Sequence, residues 1–306
     1  MACAMLAASW SRRSPRSGAS MTVEPTADPE ILRQWIGRTE TKTAVIHREP
    51  IAMMNATLDR DPENPPEFLP PGWQWLFFNA VAPASQLGAD GHPKRGGFLP
   101  PVALPRRMWA GGTLKFHRPI PVGATLERRS TIADVTVKEG RTGKLVFVAV
   151  DHVFHLEGAP HLEERHDIVY REPPQPGANS PPPPVPEPAA PWSRPWNPDA
   201  TQLFRYSALT FNGHRIHYDF PYVTEVEGYP GLVAHGPLAA TLLMDLAQAS
   251  NPNSRLTWFQ FRGLNPMIGG QKLTLSGQPK GENEAALWIL NEEGRRCMEG
   301  SAKFGR

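Results

Sequence analysis

The sequence predicts an α+β fold made of two similar halves, each an antiparallel sheet wrapped around a central helix. Three observations support this prediction. A Pro-rich segment divides the chain, the two flanks share a strand pattern, and each flank has a helix candidate ahead of its strands. A chain of 306 residues, 40% of them hydrophobic, is long enough to form two ordinary cores.

The Pro-rich segment covers residues 173–198, PPQPGANSPPPPVPEPAAPWSRPWNP. It has neither helical nor strand periodicity, and its composition favours a stiff, extended conformation. We therefore interpret it as a linker between an N-terminal half, 21–172, and a C-terminal half, 199–306. A strap along the surface or a ligand for a polyproline-binding domain is the alternative.

The strand pattern is repeated on the two sides of the linker. Its two copies are TLKFHRPIPVGATLE at 113–127 and TWFQFRGLNPMIGGQKLT at 257–274. Each copy has an aromatic strand, a proline and a glycine-containing turn. Phe116 and Phe261 are 145 positions apart, and Gly123 and Gly270 are 147 positions apart. This nearly constant offset predicts an internal duplication.

The helix candidates differ in quality. Residues 236–251, GPLAATLLMDLAQASN, are apolar nearly all round, as in a buried helix, with Pro237 suited to the first turn. The counterpart in the first half, 72–83 (GWQWLFFNAVAP), is large and aromatic instead of small. A buried helix followed by strands that wrap it, repeated twice, is a double hotdog.

Composition excludes several classes of function. The formal net charge is +2, from 32 basic and 30 acidic residues that are scattered along the chain, so we expect no nucleic-acid partner. With two cysteines, Cys3 and Cys297, neither a disulfide framework nor a thiolate zinc site can form. No apolar run approaches the roughly 18–20 residues of a membrane span, so we expect no membrane association.

Residues 1–20, MACAMLAASWSRRSPRSGAS, differ from the rest of the chain. They contain Arg12, Arg13 and Arg16 but no acidic residue, a composition typical of an organelle transit peptide. Met21 opens a segment of different character, so a start codon placed too early in a bacterial gene is the preferred interpretation. We accordingly predict a cytoplasmic protein, with the mitochondrial matrix as the alternative.

Two histidines, an asparagine and an aspartate lie within eight residues of the otherwise apolar and aromatic stretch YSALTFNGHRIHYD, residues 206–219, which is followed by GLVAHGPLAA at 231–240. These stretches resemble the signature of the MaoC-like enoyl-thioester hydratases and dehydratases. That signature is an aromatic residue, S-x-L-[ST]-G-D-x-N-P-[ILV]-H, and an H-G pair that opens the central helix. The chain is still more similar to 3-hydroxyacyl-thioester dehydratases and to mesaconyl-C4-CoA or itaconyl-CoA hydratases, over most of its length after Met21.

The resemblance assigns roles to individual residues. His217 matches the catalytic histidine, and Asn212 stands where the signature has its aspartate. His214 replaces the asparagine and Arg215 the proline. A neutral amide can orient water but cannot take its proton. We therefore expect His217 to carry most of the proton transfer, with His214 or Asp219 in support.

Addition of water to a conjugated thioester also requires stabilisation of negative charge on the thioester oxygen. Backbone N–H groups at the start of a helix provide it. The helix candidate starts at His235-Gly236, so the Gly236 amide is the expected donor, while His235 packs or caps.

The expected substrate is a short-chain acyl thioester of coenzyme A, and no other cofactor is implied. A second carboxylate on the acyl group would need an arginine, because guanidinium binds carboxylate through two hydrogen bonds. Arg215 is the first candidate. Arg205, Arg106 and Arg107 are alternatives for this carboxylate or for the phosphates of coenzyme A, and Tyr206 completes the predicted binding set. Because the first half lacks an Asn-His pair, we expect one active site, formed between the halves.

Three functions follow in order of preference. The first is hydration of mesaconyl-C4-CoA or itaconyl-CoA to citramalyl-CoA, and the second is dehydration of 3-hydroxyacyl groups on acyl carrier protein. The third is a non-catalytic module that binds an acyl thioester or a protein. A metal site at His214, His217 and Asp219 is disfavoured because no distant third ligand is implied. A homodimer is possible.

Overall fold

The computed structural model describes residues 24–140, 143–172 and 190–305. The predicted leader, 1–20, lies outside the described residues, as does most of the predicted linker, 173–189. The α-helices of the described ranges are α1 Pro29–Arg33, α2 Arg48–Thr57, α3 Ala200–Leu209 and α4 Gly236–Ala249. The strands are β1 Thr39–Val45, β2 Arg106–Phe116, β3 Thr125–Gly140, β4 Gly143–Leu156, β5 Ala159–Arg171, β6 Trp192–Trp196, β7 Arg255–Gly263, β8 Leu273–Pro279, β9 Glu284–Leu290 and β10 Arg296–Gly305. No helix of these ranges is long and apolar enough to cross a membrane.

The strands form one antiparallel sheet in the order β1-β3-β4-β5-β2-β7-β10-β9-β8-β6. From one edge the order is β1-β3-β4-β5-β2, and from the other edge it is β6-β8-β9-β10-β7. The two orders are equivalent when β1 to β5 are matched with β6 to β10. Each half therefore contributes five strands with the same connectivity, and the two halves meet at β2 and β7. The predicted double hotdog and its internal duplication are confirmed.

The joint between the halves depends on two glycines of β2. Gly112 pairs with Phe261 of β7, and Gly111 pairs with the next residue, Arg262. A Cβ at Gly111 would lie 2.5 Å from the carbonyl oxygen of Phe261, and one at Gly112 would lie 2.5 Å from the carbonyl oxygen of Arg165. The strands can approach this closely because neither position carries a side chain.

Helix α4 is the centre of the main core. Its buried side chains face strands of the second half, and they also share a cluster with Leu114, Phe154 and Leu162 of the first half. Burial of a leucine contributes about 1.5–3 kcal/mol, so an apolar helix of this length is strongly held in place. The helix predicted at 236–251 is thus confirmed.

The helix predicted in the first half was wrong. Residues Trp73–Leu76 form a single 3₁₀ turn, after which Phe77 is extended and Phe78 has a φ of 57°. Gly72, with a φ of +85°, packs directly against α4, where a Cβ would meet the Met244 Cε at 2.6 Å. The first half completes this core with the turn and with α2, whose Ile51 and Met54 lie in the same cluster as the buried side chains of α4.

The boundary predicted between linker and second half also changes. Strand β6 lies within the range interpreted as linker, and it pairs with β8 at the edge of the sheet. Pro195 is tolerated because an edge strand leaves one side without partners. The second half therefore begins by Trp192 rather than at residue 199.

Candidate active site

The site is built on a loop that follows α3. This helix ends at Leu209, and Phe211 then adopts a φ of 48°, a conformation that usually requires glycine. Asn212 donates its N–H to the Ser207 carbonyl at 2.8 Å, and its Oδ1 accepts from the His214 N–H at 3.0 Å. Asn212 therefore fixes the loop with its oxygen, and its side-chain NH₂ takes no part in that bond.

His217 is buried at the end of this loop. Its Nδ1 donates to the Val233 carbonyl at 2.7 Å, so in the neutral ring the Nε2 lone pair is free. Burial lowers the pKa of His217 to about 4, although the bond to Val233 acts in the opposite direction. The ring is consequently neutral at pH 7, with Nε2 able to accept a proton from water.

His235 lies parallel to His217, with the ring centroids 3.6 Å apart. Its Nε2 is hydrogen-bonded to the Ser207 Oγ at 2.8 Å, and burial holds its pKa well below the ordinary value. Tyr206 packs edge-on against the same ring at 4.9 Å. His235 therefore packs against the ring of His217. The sequence analysis assigned no role to Ser207.

Gly236 is the first residue of α4, and its N–H belongs to the first turn, where the helix itself provides no acceptor. A Cβ added at Gly236 would have no atom within 4 Å, so open space lies in front of this backbone. A thioester oxygen can approach here, where the helix dipole favours negative charge. The geometry fits the predicted oxyanion role.

The predicted substrate-binding residues are placed differently. Arg215 forms a salt bridge with Asp219 at 2.8 Å, and its guanidinium lies over the Tyr222 ring at 4.1 Å. This arginine is already neutralised, and its partner Asp219 is not directed at His217. Tyr206 is buried, while Arg205 is exposed on α3. Arg215 and Tyr206 belong to the structural frame of the loop. Arg215 is held by its ion pair, and Tyr206 is buried, so neither is free to contact a ligand.

The structure also brings in two residues of the first half that the sequence analysis missed. Asp90 accepts a hydrogen bond from His92 Nδ1 at 3.0 Å, and the His92 ring lies 4.2 Å from the ring of His214. His214 in turn contacts the edge of His217 at 5.4 Å. The sequence Asp-Gly-His sits in a Gly- and Pro-rich stretch, which gave no signal that it reaches a loop more than 120 residues away.

Both a carboxylate and an arginine influence the pKa values of the histidines around His92 and His214. Burial and the charges of His92 and His217 lower the pKa of His214 to about 2. Arg107 of β2 contributes to the lowered pKa values of both His92 and His214. Burial, the largest single cause, raises the pKa of Asp90, but the hydrogen bonds and charge of His92 together with the charge of His214 outweigh it, and the net shift is downward. A carboxylate and an arginine thus act in opposite directions on the pKa values of the two imidazoles.

In the disfavoured metal set of His214, His217 and Asp219, the aspartate is paired with Arg215. A different set, Asp90, His92 and His214, offers three potential ligand atoms within 4.8 Å of one another. The hydrogen bond between Asp90 and His92 and the positive charge of Arg107 both oppose cation binding there. We interpret this cluster as a hydrogen-bonded and ring-packed group.

The chain is similar in sequence to a known protein family and to two named proteins. The family model described as "Htd2: Hydroxyacyl-thioester dehydratase type 2" matches residues 72–269. The Mesaconyl-C(4)-CoA hydratase of Chloroflexus aurantiacus is 44% identical over 274 residues, 89% of this chain and 97% of that protein. The mitochondrial hydroxyacyl-thioester dehydratase type 2 of Schizosaccharomyces pombe is 30% identical over 251 residues, 72% of this chain and 80% of that protein.

Solved structures agree on the fold. A conserved hypothetical protein from Mycobacterium tuberculosis, described as having a double hotdog fold, superposes with a TM-score of 0.53. It is 14% identical, and the match covers 88% of this chain and 96% of that one. At this identity the likeness concerns the fold alone.

Proposed function

Because the chain belongs to the hydroxyacyl-thioester dehydratase type 2 family of hydro-lyases, we propose that it hydrates mesaconyl-C4-CoA or itaconyl-CoA to citramalyl-CoA. The relative named mesaconyl-C(4)-CoA hydratase is more similar than the relative named as a dehydratase, which favours hydration of a CoA thioester. Coenzyme A enters as part of the substrate, and no resident cofactor is proposed. A cytoplasmic location and a homodimer remain predictions.

The observation that carries the proposal is the pairing of a free imidazole nitrogen with an open helix start. The bond to Val233 leaves the Nε2 lone pair of neutral His217 free, and a Cβ added at Gly236, the first residue of α4, would meet no atom within 4 Å. The two are linked through His235, which precedes Gly236 and stacks on His217. A base and an oxyanion donor are therefore held side by side, as hydration requires.

The reaction can be followed atom by atom. His217 Nε2 removes a proton from water as the water oxygen bonds to the β-carbon. The π electrons move to the thioester oxygen, which accepts a hydrogen bond from Gly236. The enolate collapses, and its α-carbon takes the proton back from the His217 imidazolium, which restores the neutral ring. Asn212 orients the water through its side-chain NH₂, and Ser207 holds the supporting ring of His235.

The second carboxylate of the substrate requires a positive charge. Arg215 is neutralised by Asp219, and Arg106 pairs with Glu227 at 3.0 Å. Arg107 is the remaining candidate of the predicted set near the histidines, because its charge acts on His92 and His214. We propose that it attracts the free carboxylate.

Turnover can be followed by the absorbance of the enoyl-thioester with mesaconyl-C4-CoA, itaconyl-CoA, crotonyl-CoA and an acyl carrier protein thioester. We expect the dicarboxylic substrates to be preferred. A preference for crotonyl-CoA would exclude the dicarboxylate proposal, a preference for the carrier protein would favour the dehydratase alternative, and no turnover would favour a binding module.

The arginine can be tested with the same assay. Arg107→Gln should raise KM for mesaconyl-C4-CoA about tenfold or more, as expected for loss of a charged hydrogen-bonding partner. Crotonyl-CoA, which lacks the second carboxylate, is the matched control and should be little affected. Equal effects on both substrates would remove Arg107 from carboxylate recognition.

A further inference from the structure

The signature histidine of this site lacks the carboxylate that accompanies it in the related pattern, because Asn212 takes that place. We propose that Asp90 and His92, from the first half, are positioning residues that supply this missing carboxylate to His217 through His214. The proposal rests on the proposed hydratase function. It makes the first half a contributor to the chemistry as well as to the shape of the site.

The contacts form a continuous chain. Asp90 Oδ2 accepts from His92 Nδ1 at 3.0 Å, which fixes the His92 tautomer and leaves its Nε2 lone pair free. The rings of His92 and His214 are 4.2 Å apart, and those of His214 and His217 are 5.4 Å apart. A fixed anion thus lies at one end of a row of imidazoles whose other end is the proposed base.

The loop that carries these residues, 88–92, is fastened to the catalytic loop. Arg215 donates its backbone N–H to the Asp90 carbonyl at 2.9 Å and its guanidinium to the Ala89 carbonyl at 3.0 Å. A Cβ on Gly91 would lie 1.8 Å from the Gly213 carbonyl oxygen, and one on Gly213 would lie 2.8 Å from the carbonyl oxygen of Gly91. Two facing glycines allow a backbone contact that no other residue pair permits.

A carboxylate near His217 would assist the proton transfer of the proposed hydration. When His217 takes a proton from water it becomes a buried cation, which a nearby carboxylate stabilises. Asp219 is not available for this task because it is paired with Arg215. The other charged or titratable groups facing the row are His235, stacked on His217, the arginines Arg95 and Arg107, and, beside Asp90, Tyr222 and the Asp219-paired Arg215. Asp90 is the acidic group of this set.

The variant Asp90→Asn isolates the proposed role. Asp90 Oδ1 accepts from the His92 backbone N–H at 3.0 Å, and an asparagine can keep that bond. The new amide would present a donor to His92 Nδ1, which removes the charge and reverses the tautomer. We expect kcat for mesaconyl-C4-CoA to fall at least tenfold with KM changed less than threefold, and the acid limb of the pH profile to move.

Asp61→Asn is a matched control. Asp61 also accepts from the N–H two residues on, Glu63, at 2.9 Å and from a side-chain amide, Asn64, at 2.7 Å, but it lies in the loop after α2. It should leave turnover unchanged. In the Asp90→Asn background, Asn212→Asp should restore most of kcat, because it returns a carboxylate to the signature position. A kcat for Asp90→Asn within twofold of the unmodified protein, or an equal loss in Asp61→Asn, would overturn the proposal.

A spectroscopic measurement separates this proposal from the proposed function. If the unmodified protein turns over none of the substrates, the function fails, and the histidine ¹⁵N shifts still report the coupling. Asp90→Asn should then change the ring nitrogen shifts of His92, His214 and His217. A change confined to His92 would show that the carboxylate does not reach the proposed base.

Discussion

Two side chains of the loop 206–219 each use one polar group to fix the backbone around them. Asn212 accepts the His214 N–H with its oxygen, and His217 donates from Nδ1 to the Val233 carbonyl, which leaves one side-chain nitrogen of each outside these bonds. The buried setting keeps His217 neutral, which makes it a base rather than an acid at pH 7.

At this scale the variant His217→Asn is the sharpest test. The asparagine NH₂ can replace Nδ1 as the donor to the Val233 carbonyl, while the nitrogen that accepts the proton is lost. We expect kcat to fall by about 10²–10⁴, the range for loss of a general base. Steady-state kinetics measure this, with a thermal melt as the folding control, and near-normal turnover would remove His217 from the mechanism.

At the scale of elements, α4 has two functions at once. Its body fills the core of both halves, and its first residue, Gly236, meets open space. An apolar helix provides rigidity without side chains that compete for the substrate, so its start can be placed accurately.

Gly236→Ala separates these two functions. The added methyl has no protein atom to clash with, and alanine favours helix more than glycine by up to about 1 kcal/mol, so stability should be unchanged or higher. The methyl would occupy the space of the thioester, and kcat/KM should fall by about 10². Urea unfolding and kinetics give the two values; unchanged kinetics would mean that the thioester does not approach Gly236.

The contact between the 3₁₀ turn and α4 gives a second prediction. Gly72→Ala should destabilise by about 3 kcal/mol, because it combines a left-handed φ of +85° with a Cβ only 2.6 Å from Met244. Gly123→Ala has a similar φ, +93°, but nothing within 4 Å, and should cost only about 1–2 kcal/mol. Denaturant unfolding of both variants measures the difference, and equal losses would contradict the packing role of Gly72.

For the whole molecule, buried histidines predict sensitivity to acid. The residues whose pKa is lowered are His92, His152, His214, His217 and His235. Below about pH 6.5 these histidines bind protons in the unfolded chain but not in the folded protein. Their contribution to the free energy of unfolding is therefore fully present above that pH. It is lost progressively as pH falls towards the folded pKa, which is about 4 for His217.

Between pH 7 and pH 5 the loss should be about 2 kcal/mol each for His214 and His217, whose folded pKa values lie below 5, and the other three histidines should add to it. Urea unfolding at the two pH values measures the total. His152, buried in the first half beside Ser130 at 2.8 Å, gives a control, because His152→Gln should reduce the difference without touching the site. Equal stability at both pH values would contradict the burial of neutral imidazoles.

Much of the fold could be read from local patterns. The repeat around Phe116 and Phe261 and the apolar run after Gly236 depend on residues close in sequence, and the structure has both as expected. The first-half helix could not be predicted correctly, because Gly72 and its aromatic neighbours adopt their turn through packing on Met244, far along the chain.

The sequence by itself determined the double hotdog, the helix start at Gly236 and the signature that ends in His217, because each is encoded by short-range spacing. Only the tertiary structure decided that Arg215 is bound to Asp219 and that Asp90 and His92 join His214. These arrangements depend on the approach of two glycine-containing loops from different halves. Such long-range contacts are fixed by the packing of the whole sheet around α4, which no local pattern contains.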